Sequence, residues 1–221
     1  MDRAFRPCCS SAILACIAVG CAASTGCIGS ILATGIYFWN GGNVVPAEYE
    51  GLESERVVVL CRPPASYEYR NAGAARAIGS RVSTMLEANV KEIDVVSPKE
   101  VDNWVDEQDW DNFKDLGRSV KATRIVYIEL DDFDLYKGKT LLQGTADVSI
   151  SVYDMEDRGK LVWERRLGQV LYPKNSGIPA ADKPAQIFER EFVAMLSRQI
   201  AEHFYKHDPN AMFALDALAN Q

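Results

Sequence analysis

The spacing of apolar and polar positions changes several times along this chain, and each change marks an element. Arg56 to Cys61, RVVVLC, is a continuous β-branched run stopped by Pro63 and Pro64. An unbroken run of this length reads as a strand covered on both faces, the pattern of a central strand in an α/β sheet. From Ser66 to Val90 the period lengthens, and Ala75, Ile78, Val82, Met85, Leu86 and Asn89 recur at helical spacing. Asp94 to Ser97 predicts a short second strand, and Ser97-Pro98 followed by Glu100 predicts a helix start whose Val101, Trp104 and Val105 share a face. Asn112 to Lys121 reads as a further helical stretch, and Ala122 to Leu130, ATRIVYIEL, as a third strand.

Beyond it the period falls to two. Ala146, Val148, Ile150 and Val152 alternate with Thr145, Asp147, Ser149 and Ser151, as in a strand with one buried and one wet face. A turn through Asp154, Asp157, Arg158 and Gly159 leads into a strand from Lys160 to Val170, and the two strands make an antiparallel hairpin. After a polar loop from Pro173 to Pro184, Phe188, Phe192, Leu196, Ile200 and Phe204 mark the apolar face of a long amphipathic helix. These elements predict a single α/β domain with α+β character over residues 46–221. It would have two or three layers, a mixed sheet of about five strands with helices packed on it, and a C-terminal amphipathic helix.

The opening of the chain has a different pattern. Arg3 and Arg6 precede CCSSAILACIAVGCAA, the stretch from Cys8 to Ala23, which carries no charge. A basic start followed by an apolar core of this length has the form of a signal peptide. Ser24, Thr25 and Gly26 then place small residues before Cys27, which resembles the cleavage site of bacterial lipoprotein signal peptides. That resemblance implies removal of residues 1–26 and a diacylglyceryl group on the Cys27 sulfur. Cys21, preceded by Ala18, Val19 and Gly20, is the alternative site. Residues 27–45 would be a lipidated apolar segment and a linker, with Asn40, Gly41, Gly42 and Asn43 as its joint. An uncleaved transmembrane anchor running to Trp39 is the competing expectation, since apolarity resumes as IGSILATGIYFW. Gly20, Gly26, Gly29 and Gly35 oppose a stable helix there.

Composition narrows the partners. Five of six cysteines precede residue 28, leaving Cys61 alone in the domain, so no disulfide within the domain is expected. Cys61 reads as a small, inert core residue at the end of its strand. The chain has 24 basic and 31 acidic residues, a net charge of -7, which disfavours nucleic acid as a partner.

Catalytic chemistry is sparse. His203 and His207 are the only histidines and stand four apart on the predicted last helix, where they would share a face. With Asp208 or Glu202 they could approach a zinc site, but two ligands on one helix fall short of the four zinc takes. A role at the helix C-terminus explains the pair without metal. Asp131, Asp132 and Asp134 offer oxygen ligands but lack the glycine-punctuated loop of a dedicated calcium site, so they read as a solvated strand end. Gly73 and Gly79 fall within a predicted helix and form no phosphate loop. No catalytic residue, metal or cofactor is expected.

The element order, with RVVVLC, the long helix after it, EIDVVSPKEV, ATRIVYIEL and the hairpin GTADVSISVYDMEDRGKLVWE, resembles the periplasmic domain shared by the TolB amino-terminal region and the curli-secretion type of outer-membrane lipoprotein. The resemblance covers Arg56 to Leu171 and is topological. It implies a membrane-anchored, noncatalytic binding or assembly module of the cell envelope, with a lipid anchor in the membrane and an envelope protein as partner. The other hypothesis is an envelope hydrolase or metal-dependent enzyme built on surface carboxylates and His203/His207, which would require a deep pocket joining those groups.

Overall fold

A computed structural model describes residues 44–63, 68–107 and 112–209. Its elements lie in one compact unit, Pro46–His207. Cys21 and Cys27 fall outside the described residues.

Strand β1, Arg56–Arg62, has Val57, Val58, Val59 and Leu60 all buried, as its unbroken apolar run requires. Helix α1, Glu68–Asn89, follows and leads to β2, Asp94–Val95. Two short helices come next, α2 at Pro98–Glu107 and α3 at Phe113–Ser119. Three long strands then form a meander: β3 at Arg124–Lys137, β4 at Leu141–Asp154 and β5 at Lys160–Tyr172. Strand β6, Ile178–Pro179, precedes α4, Ala185–Ala201, and a single 3-10 turn at Glu202–Phe204.

The sheet runs β2-β1-β3-β4-β5, with β6 paired to β4. The first three strands are parallel, and β3, β4 and β5 are antiparallel. This is a mixed α+β fold.

Alternation within the strands divides the core in two. Val57 and Val59 of β1, with Val126, Ile128 and Leu130 of β3 and Ala146, Val148, Ile150 and Val152 of β4, pack beneath α1 and α4. Val58, Leu60 and Ile125 point the other way, toward Val101 of α2 and Leu116 of α3. The parallel half is therefore three layers thick. On the meander Thr145, Asp147 and Ser149 stay part-exposed on the face opposite α4, and this half has two layers.

The apolar stripe of α4 docks as its spacing predicts, with Phe188, Phe192, Leu196 and Ile200 fully buried. Phe192 stacks on Phe133 and Tyr172 at centroid separations of 5.3 and 6.2 Å. It fits because β4 has a glycine beneath it: a Cβ on Gly144 would lie 2.6 Å from the Phe192 ring.

Strand β3 runs seven residues beyond Leu130, where the sequence pattern predicts its end. The pairing passes from Asp131↔Asp147 to Asp134↔Thr145 through a register shift, and Asp132 adopts φ 48°. The bulge absorbs the interrupted alternation, and pairing with β4 continues to Lys137↔Leu141. Asp131, Asp132 and Asp134 are therefore part of a continuing strand and not its end. The Asp134 carboxylate accepts a hydrogen bond from Tyr136 N at 2.9 Å.

Residues 46–55 form a strap across the end of α4. Leu52 is fully buried, and Tyr49 packs on Trp163 and Phe204. The Glu48 and Tyr49 amides donate to the His203 carbonyl at 2.8 and 3.1 Å. Arg124 joins strap and sheet through Glu55 at 3.0 Å and Asp154 at 2.8 Å.

Candidate functional site

The two edges of the sheet are unequal. At one end β2 has two residues. At the other, β5 has thirteen, and among the described residues its one strand neighbour is β4. A long edge of this kind presents unpaired backbone donors and acceptors to a partner. Two bulges interrupt it. Trp163 pairs with Val152 and Leu161 with Tyr153, leaving Val162 as an extra residue, and Leu167 is extra between Arg166 and Gly168. Gly168 has φ +65°, a conformation glycine adopts without strain.

Next to the first bulge Leu161 and Val162 are 44% and 42% exposed, unusual for apolar residues of a long strand. Lys160, Arg165 and Arg166 give the edge a positive bias against Glu164 alone, on a chain that is acidic as a whole. Arg166 lies 3.6 Å from Glu164, and Arg165 reaches Glu48 at 3.7 Å.

A second feature is a cleft of about 510 Å3 where β1 ends between α1 and α2. It exists because the α1 face turned to it carries small residues: Ala72, Ala75, Gly79 and Ser80 recur at helical spacing and leave room that larger side chains would fill. Val101 and Val105 of α2 line it too, as does Cys61 near the end of β1. Arg76 and Asp106 join across the rim in a bidentate ion pair, with Nη1 to Oδ2 at 3.0 Å and a second, shorter contact. Asp102 stands beside them without a hydrogen bond of its own among the described residues. Burial raises its pKa, the Arg76 charge opposes that rise and the Asp106 charge adds to it.

Cys61 is partly exposed as a residue, yet its thiol is held deep enough that burial pushes its pKa upward. The thiolate needed for nucleophilic chemistry is thereby disfavoured. The sequence pattern missed this cleft, although Ala72, Ala75 and Gly79 on one helical face were its available signal.

The histidines do not share a helical face. Helix α4 ends at Ala201, His203 sits in the 3-10 turn, and His207 follows Tyr205, whose extended backbone (φ -148°, ψ 161°) leaves the helix. His203 turns to the strap, its Nδ1 3.1 Å from the Glu48 carboxylate. A carboxylate only accepts, so Nδ1 carries the proton of this contact. Burial lowers the His203 pKa, partly opposed by Glu48. The ring therefore holds the strap as a neutral donor and does not act as a cation on the helix dipole. His207 Nε2 lies 3.9 Å from Glu202 and its Nδ1 3.3 Å from the Tyr205 carbonyl. Among the described residues, no group of three or more His, Cys, Asp or Glu side chains is arranged to hold a metal ion. No helix among them is long and apolar enough to cross a membrane.

No protein-family profile and no curated protein matches the sequence. Solved structures with a similar arrangement include the PelC dodecamer from Paraburkholderia phytofirmans, at 14% identity over 72% of this chain and 96% of that one, with a TM-score of 0.43. Lipoprotein GNA1162 from Neisseria meningitidis matches at 13% identity over 66% and 96% of the two chains, TM-score 0.38. The LpoB C-terminal domain from Salmonella enterica matches at 15% identity over 53% and 83%, TM-score 0.36. At these identities and scores the likenesses assign no function, and none of the three bears the TolB or curli-secretion name.

Proposed function

We propose that this chain is a membrane-tethered, noncatalytic module of the bacterial cell envelope that binds an extended segment of another envelope protein along β5. The observation that supports this reading is the edge itself: a long strand that, among the described residues, pairs with β4 alone, with Leu161 and Val162 exposed beside a bulge. Strand addition satisfies the free backbone groups, and the two apolar side chains and the basic bias give selectivity for a segment that alternates apolar and acidic residues. The bulges and charges limit unselective edge pairing. The tether in this reading is the acyl group on Cys27, with Cys21 as the alternative position.

The test is capture from the native envelope with a photo-crosslinking residue at Val162, beside a control at Lys99 on α2. A discrete protein crosslinked from Val162 and absent from Lys99 is the expected result. It should disappear when the native partner is offered the Leu161→Asp, Val162→Asp double variant in an affinity pull-down. No adduct at Val162, or unchanged capture by the double variant, ends the proposal.

A further inference from the structure

We infer that a polypeptide segment added to β5 sets long apolar side chains into the trough between β5 and α4, against Leu167, Val170 and Met195. The inference rests on the strand-addition reading and states which row of the segment's side chains carries its selectivity. The register of the sheet separates the two faces of β5. Trp163, Arg165 and Val170 lie opposite Val152, Ile150 and Ala146, which pack beneath α1 and α4. Glu164, Arg166 and Gln169 lie opposite Ser151, Ser149 and Asp147 and so belong to the other face.

Helix α4 runs along the inner row of β5 in the opposite sense. Tyr172 stacks on Phe188 near the helix start at 5.8 Å, and Trp163 meets Phe204 just past its end at 5.4 Å. The helix buries Val193, Ser197 and Ala201 on its flank toward α1, whereas Glu191, Met195 and Arg198 on the other flank stay part-exposed. That second flank faces the free edge. The strap already covers the inner row at the start of β5, with Tyr49 5.8 Å from Trp163 and Glu48 3.7 Å from Arg165. Lys183 holds Glu191 at 2.7 Å toward the other end. Between these ends Leu167, Val170 and Met195 pack on the core and remain part-exposed, which leaves apolar surface that nothing among the described residues covers. A strand laid beside β5 directs every second side chain toward it. A leucine, methionine or phenylalanine in that row gains by burial, whereas a charged residue there loses hydration.

The probe is a short peptide of strictly alternating leucine and glutamate, and its control is a peptide of the same composition with the leucines contiguous. Both are titrated into the full chain in lipid nanodiscs, with empty nanodiscs as the partition control. Two readouts are followed: the methyl resonance of Met195, assigned by its loss in Met195→Leu, and hydrogen exchange of the β5 amides. The alternating peptide should shift the methyl saturably and slow the β5 amides, and the control should do neither. Met195→Gln should weaken binding about tenfold, the scale of a lost apolar side-chain contact, whereas Met195→Leu should keep it. Slowed β5 exchange with an unmoved Met195 methyl, or equal binding by Met195→Gln, overturns the inference and leaves strand addition standing. An equal Met195 shift from the contiguous control also overturns it. If the alternating peptide produces neither effect up to about 1 mM, strand addition falls with the inference.

Discussion

Gly144 shows how one missing methyl group sets the position of a helix. The position a Cβ would take on it lies against the Phe192 ring, so a side chain there would need the ring or the backbone to move. Gly144→Ala should therefore cost about 1–3 kcal/mol, as overpacking does, measured as a lower urea midpoint. A midpoint equal to that of the unmodified protein would mean that α4 can shift on the sheet without loss. His203 predicts a pH effect. Its folded pKa is held below the ordinary 6.5, so as pH falls through that value the unfolded chain takes up a proton that the folded ring resists. Stability should therefore be level above that window and decrease on acidification through it, and His203→Gln should reduce that slope in thermal melts run between about pH 7 and 5. An unchanged slope would show that other groups dominate. The spacing of His203 and His207 was legible in the sequence, but its meaning was not. Four residues apart means one face only while the helix continues, and the tightening at Glu202 and the extended Tyr205 break that rule.

At the scale of elements, period carried the information. β1 and α4 could be read because burial on both faces and burial along one stripe leave different spacings, and both elements bury the residues so marked. The end of β3 could not be read, because a bulge at Asp132 breaks alternation while hydrogen bonding to β4 persists. The cleft was illegible for another reason: it depends on how far α2 stands from α1, and small residues on one helix do not fix that distance. Helix α4 contributes most through its aromatic anchors. Phe192→Ala should cost about 3–5 kcal/mol, because it empties a fully buried site stacked between Phe133 and Tyr172. Chemical denaturation that shows less than 1 kcal/mol, well under that range, would mean that the neighbouring rings collapse into the space.

For the whole molecule, the first expectation to check is the tether. Intact-mass analysis of membrane-extracted protein should find a chain that begins at Cys27 and carries lipid mass, whereas one that begins at Met1 would exclude cleavage and one that begins at Cys21 would move the site. The second check concerns Cys61. Native protein should label slowly there with a thiol reagent, given its raised pKa, and rapid labelling would show the thiol to be open to solvent. The strap has a wider consequence. Because the Glu48 and Tyr49 amides both donate to the His203 carbonyl, the two extremities of the folded body meet at a single point. The path of the chain through Pro46–His207 is in effect a ring closed by noncovalent contacts. Such a ring can be opened elsewhere: a circular permutant that links the two extremities and begins after the exposed Gly138 turn should retain the same sheet order, with its stability set by the sheet and not by which peptide bond happens to be absent.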